Sequence, residues 1–212
     1  LDGIALAPDQ PGYALWSILH LRGLIPLPWG VARTSYPVLP WIGVIAAGYV
    51  LGPWFSGAVP AQQRRRRLAI WGGAAFAAFA VLRGLNGYGD PVPWQPGATM
   101  VDTALAFLNL TKYPPSADFL LATLGLGLVL LALFERLPAA ISGWLQVFGG
   151  VPLFFYLLHL FLLRALQTAA ARVGAPVLIW LIAAALCLPL YAACHGMVGL
   201  KRRVSWPGLS YL

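Results

Sequence analysis

The sequence predicts an all-α fold: a polytopic helical membrane protein of about five transmembrane helices with one structured external loop. Three observations predict it. Of the 212 residues, 60% are apolar and only 9% are charged, whereas soluble globular chains carry about 25% charge. The mean hydropathy is +0.77. The charge-free runs are long: about 20 helical residues reach about 30 Å, the thickness of a bilayer core. So few charges cannot coat a water-soluble particle of this size, which excludes one or two ordinary soluble domains.

The opening segment, residues 1–35, is broken by Pro and Gly and reads as an external loop with at most a short interfacial helix. The chain starts at Leu1 with no basic n-region or signal-type apolar core, so the expectation is that upstream spans precede it. A five-span bundle then covers residues 36–200. Span one, about 36–56, is the apolar heart of a charge-free run from Thr34 to Gln63. Span two, about 68–85, has Arg83 near its end, and span three follows at about 116–134. Span four, about 147–168, carries His159 and Arg164, and span five is about 176–200. Gly48 and Gly52 form a GxxxG in span one, and Gly125 and Gly127 lie in span three, as suits close helix packing. Between spans two and three, residues 86–115 form an external loop with turn-fixing Asn-Gly and Gly-Asp-Pro steps. A short interfacial helix is expected there at about 98–109.

Orientation follows from Lys and Arg in the short loops. Arg64, Arg65, Arg66 and Arg67 fall together, on one side with Arg136, Lys201, Arg202 and Arg203. Arg22, Arg33, Lys112 and Arg172 lie opposite. The arginine-rich turn and the tail, 201–212, are therefore expected in the cytoplasm, with the protein integral to the membrane. The net charge of +8 does not point to nucleic acid, because the cations sit at the ends of apolar runs. The bilayer is the expected partner, and a homo-oligomer stays open. Cys187 and Cys194 have no zinc spacing; seven residues apart on one helix, they lie about 10 Å from each other, too far to bridge.

The polar chemistry gathers in two places. Asn86, Asp90, Asn109, Lys112 and Tyr113 in the 86–115 loop are candidates for a substrate mouth, since about thirty rigid residues exceed what a connection needs. His20, in ILHLRG, is a further binding candidate. His159, midway along span four, needs a partner or a wet cavity at that depth, and a neutral imidazole there can accept a proton. The three His are scattered, with no HExxH and no carboxylate cluster, so no metal is expected.

Five strings occur in order: SYPVLPWIGVIAAGYVLGPWF, LRGLNGYGDPVPW, FLNLTKYPPSADFLLATLG, FGGVPLFFYLLHLFLLRAL and LKRRVSWPGLSYL. Together they resemble the bacterial heparan-alpha-glucosaminide N-acetyltransferase catalytic-domain family, in its C-terminal portion. The resemblance implies a transmembrane acyltransferase, with acetyl-CoA or another acyl-CoA as co-substrate and an amine or hydroxyl of an envelope sugar as acceptor. His159 matches the His of the family's PLFFYLLH motif, which makes it an auxiliary catalytic candidate. The family's first span, with an Asp-x-x-Arg-Gly motif and a downstream Asp-His pair, has no counterpart here, so these residues alone are expected to be inactive. Arg64, Arg65, Arg66 and Arg67 could draw the phosphates of CoA, or serve only topology and anionic-lipid contact. A solute transporter or flippase, with His159 and Arg164 on its pathway, and a non-catalytic membrane scaffold are the competing readings.

Overall fold

The structure, a computed structural model, describes residues 6–170 and 176–204. It is an all-α helical membrane protein with one small β-hairpin. The chain parts at Arg136 into two compact units.

The first unit opens with α1 (Tyr13–Leu19) and a hairpin of β1 (Gly23–Leu27) and β2 (Gly30–Thr34). The strands pair antiparallel from Gly23↔Thr34 to Leu27↔Gly30, across a two-residue turn at Pro28 and Trp29. The Thr34 hydroxyl closes the open end, accepting the Gly23 N–H at 2.8 Å and donating to the Gly23 carbonyl at 3.1 Å. Gly23 has no room for a side chain: a Cβ there would stand 2.6 Å from Ser17 Oγ. This hairpin replaces the loop expected over 1–35. Its strands are five residues each and contain Pro26 and two terminal glycines, so the alternation is too short to read against the breakers.

Helix α2 (Leu39–Leu51) follows, with Pro40 in its first turn, and a 3-10 turn at Gly52–Phe55 ends it. The expected first span, 36–56, is thus a helical stretch shorter than a regular span. The charge-free run is long, but Pro37, Pro40 and Pro53 trim the helix inside it. Helix α3 (Ala61–Leu85) starts after Pro60 and stops where Asn86 turns left-handed at φ 54°. Helix α4 (Met100–Leu108) is the short helix expected in the loop. Its N-terminus is a capping box: Thr99 Oγ1 accepts the Asp102 N–H, and the Asp102 carboxylate accepts the Thr99 N–H. Helix α5 (Ala117–Phe134) is capped by Ser116 Oγ on the Phe119 N–H.

Helices α3 and α5 run antiparallel and in close contact. Arg64 meets Glu135 at one end, Gly72 and Phe76 face Gly125 midway, and Gly89 receives the Asp118 N–H at the other. A Cβ on Gly72 would stand 2.7 Å from the Gly125 carbonyl, and a Cβ on Gly125 2.8 Å from the Phe76 nitrogen. The close approach belongs to these two glycines. Gly48, Gly52 and Gly127, singled out by spacing, have nothing within 4 Å of the place a Cβ would take.

The second unit holds α6 (Ala139–Gly149), α7 (Pro152–Ala170) and α8 (Pro176–Arg203). The stretch expected as the fourth span, 147–168, holds the end of α6 and most of α7, and the two helices are bent by 76° at the intervening residues. Gly149, Gly150 and Pro152 explain the break, since Pro starts a helix readily and disfavours helix just before it. Lys201 Nζ donates to the Gly150 carbonyl at 3.2 Å, satisfying an orphan acceptor at the end of α6. Trp144 stacks on Tyr191 at 4.2 Å, joining α6 to α8.

Among the described residues, three helices are long and apolar enough to cross a membrane, α3, α5 and the Leu181–Arg203 part of α8. There are four if the bent α6–α7 pair is one span.

Candidate functional site

Polar groups collect at both ends of the α3–α5 pair. At the loop end, Arg83 is 3% exposed. Its guanidinium donates to the carbonyls of Val92, Ala106, Phe107 and Asn109 at 3.0–3.3 Å. Three of those carbonyls lie at the C-terminal end of α4, where orphan acceptors and the negative end of the helix dipole favour a cation. Arg83 Nη1 is also 4.0 Å from Asp90 Oδ1. Asp90 in turn accepts the N–H groups of Val92 and Thr111 and the hydroxyls of Thr111 and Ser116, at 2.7–3.0 Å. Burial pushes the Asp90 carboxyl up, but the bonds from Ser116, Thr111 and Val92 outweigh it and hold the group below the usual carboxylate range. Asp118 lies beside this knot, 1% exposed, with neither carboxylate oxygen hydrogen-bonded. A side chain on Gly89, whose φ is +112°, would fall on that carboxylate.

Asn86 is equally committed to structure. Its side chain donates to the Trp94 carbonyl at 2.9 Å and accepts the Trp94 N–H at 3.0 Å. Asn86, Asp90 and Asn109 therefore hold the loop in shape. Arg83 and Asp118, the most buried charges, went unassigned in the sequence because each reads as a charge at the end of an apolar run.

An exposed shelf lies in the same loop. Tyr113 stands edge-on to Tyr36, ring centroids 5.1 Å apart, and the two hydroxyls share a hydrogen bond at 3.3 Å. Arg22 and Lys112 each place their charge 5.3 Å from the Tyr113 ring centre. The bond to Tyr36 and then the nearby Lys112 and Arg22 charges draw the Tyr113 phenol below its usual range, against the opposing effect of burial. Arg22 also lines a cleft of about 390 Å³ with Arg33 and Thr34. The structure thus sets Lys112 and Tyr113, adjacent in sequence, beside Arg22 and Tyr36, which are far from them in the chain. The surface offers phenol hydroxyls and cations side by side. His20 is elsewhere: it is buried, its ring 4.9 Å from Trp16.

At the other end of α3, the arginine run divides. Arg64 makes a two-bond fork to Glu135, at 2.6 and 3.1 Å. Arg67 lies over the Trp54 ring at 5.8 Å. Arg65 and Arg66 instead line a crevice of about 630 Å³ that Arg136 completes from just beyond α5.

In the second unit, His159 stands half-buried on α7. Its Nδ1 lies 3.1 Å from the Phe155 carbonyl one turn back, and its ring stacks on Phe155 at 5.3 Å. A carbonyl only accepts, so Nδ1 donates to it, and in the neutral ring Nε2 is the nitrogen left to accept. Cys187 and Cys194 are both free thiols on α8.

Comparison of the chain with protein-family models, with curated proteins and with solved structures finds no match.

Proposed function

We propose that the chain is the C-terminal part of an integral-membrane acyltransferase that moves an acyl group, acetyl in the simplest case, from acyl-CoA to an amine or hydroxyl of an envelope sugar. The five ordered strings carry this reading. The layout of the first unit supports it: a shelf of phenols and cations stands at one end of an apolar helix pair. A donor from the cytoplasm and an acceptor from outside could then react without either crossing the bilayer.

The donor's thioester supplies an already activated acyl carbon. The protein has to hold the acceptor amine or hydroxyl beside it and take one proton from it. Tyr113, Tyr36, Lys112 and Arg22 are suited to orient a hydroxyl-rich acceptor. In the second unit, His159 is the auxiliary candidate to receive a proton, through Nε2.

The test is acceptor-dependent release of CoA thiol by the full-length protein in lipid nanodiscs. His159→Ala is expected to lower turnover at least tenfold while leaving the thermal unfolding midpoint in place. Unchanged turnover would return His159 to a structural part. Solute uptake into vesicles with no acyl transfer would overturn the enzyme reading in favour of a transporter.

A further inference from the structure

The crevice at the α3 N-terminus has a composition that neither membrane topology nor the proposed acyl chemistry accounts for. Topology needs cations near the interface but does not need them to converge. Of the four consecutive arginines, Arg64 is neutralised by Glu135 and Arg67 is turned onto Trp54. Arg65 and Arg66 face into one cavity with Arg136, and among the described residues none of the three has a carboxylate partner. Three guanidinium groups around about 630 Å³ repel one another, and an anion between them removes that repulsion. Guanidinium groups match phosphate oxygens with paired N–H donors.

The walls narrow the choice. Ile70 lies one helical turn below Arg66 on α3, about 6 Å deeper along the axis. On α5, Leu133 and Val129 lie one and two turns before Arg136 and also line the cavity. The cavity is therefore cationic at its mouth and apolar immediately beneath, over the distance that separates a lipid phosphate from its first acyl carbons. A soluble nucleotide has nothing to place against that lower wall.

We infer that this crevice is a binding site for one anionic phospholipid. Its phosphate is held by Arg65, Arg66 and Arg136, and its upper acyl chain lies against Ile70, Val129 and Leu133. The inference does not rest on acyl transfer, and binding is measured with no acyl donor and no turnover.

The full chain, purified in detergent, is titrated with dioleoyl phosphatidylglycerol, and bound lipid is counted by native mass spectrometry. Phosphatidylglycerol is expected to bind at least fivefold more tightly than dioleoyl phosphatidylcholine. Arg65→Gln, Arg66→Gln and Arg136→Gln are each expected to weaken it at least fivefold, and Arg67→Gln, an equal loss of charge, less than twofold. The headgroup comparison needs no variant and holds even if one of them misfolds. An equal loss with Arg67→Gln would overturn the site in favour of diffuse surface charge. Equal binding of the two lipids would also overturn it. Displacement of phosphatidylglycerol by CoA would assign the phosphates in this crevice to the soluble nucleotide and overturn the lipid assignment.

Discussion

Asp90 shows how a single side chain sets a loop. Four donors converge on its two oxygens, and Arg83 stands behind them. These bonds favour the charged form, so its folded pKa lies below the ordinary value of about 3.9. The stability it contributes is fully present above that ordinary value and is lost as pH falls through the depressed one. The thermal midpoint is expected to hold level down to about pH 5 and to fall below about pH 4 on account of Asp90. In Asp90→Asn the midpoint at neutral pH should be lower, by about 1–3 kcal/mol of stability for donors left without their acceptor, and the acid-side fall correspondingly shallower. Circular dichroism melts of parent and variant across this range check both. An unaltered acid limb would remove Asp90 from the account. Asp118, enclosed beside it with no hydrogen bond to either oxygen, is a different case: an uncompensated buried carboxylate is costly. Asp118→Asn is therefore expected to leave the midpoint unchanged or raise it.

Between helices, contact is decided by where backbones approach. Helix α5 brings Gly125 against the Phe76 nitrogen and the Gly72 carbonyl. Backbone atoms cannot swing aside as side chains can, so a methyl group there must push α3 and α5 apart. Gly125→Ala should cost about 1–3 kcal/mol, the usual range for overpacking, read as a lower thermal midpoint in detergent. Gly127→Ala, two residues away and facing open space, should be neutral or slightly stabilising, since Ala favours helix over Gly. Equal effects at the two positions would mean that the helix pair does not pack through Gly125. The sequence pointed to Gly125 along with Gly127, Gly48 and Gly52, but at these last three an added Cβ would meet nothing within 4 Å. A small-residue motif shows where helices can approach, and only the partner's backbone shows where they do. The break between α6 and α7 belongs to the same scale: Gly149, Gly150 and Pro152 lie inside one charge-free run, and they set α7 apart from α6, a helix that the expected span of 147–168 left almost wholly outside.

The molecule as a whole covers little of its own apolar surface. Only 22% of the membrane-length window of α3 is buried, and 17% of that of α5. Ile45, Tyr49 and Val50 on α2 are 72%, 86% and 68% exposed. An apolar surface of this extent is tolerated in lipid, whereas in water it associates. The purified chain is expected to stay monodisperse only with detergent or lipid present, and to aggregate on amphiphile removal, as followed by light scattering. A monodisperse chain in plain buffer would contradict a membrane fold.

Composition and charge-free length were enough to read the fold class, because the solvent around a helix dictates the chemistry of its surface. The short helix within 98–109 was legible in the loop between its flanking turns, whereas the Thr99–Asp102 capping box that starts it came from the structure. The hairpin, the true length of α2 and the α6–α7 bend were not, because proline and glycine act locally while hydropathy is an average. Lys112 and Tyr113 stood among the loop's polar residues, but their neighbours Tyr36 and Arg22 come from 77 and 91 residues before Tyr113. The division of four consecutive arginines into an ion pair, a ring contact and an open crevice was likewise set by tertiary structure. Identical residues in sequence differ only in the direction their helix turns them and in what the neighbouring helix, through Glu135 and Arg136, places opposite.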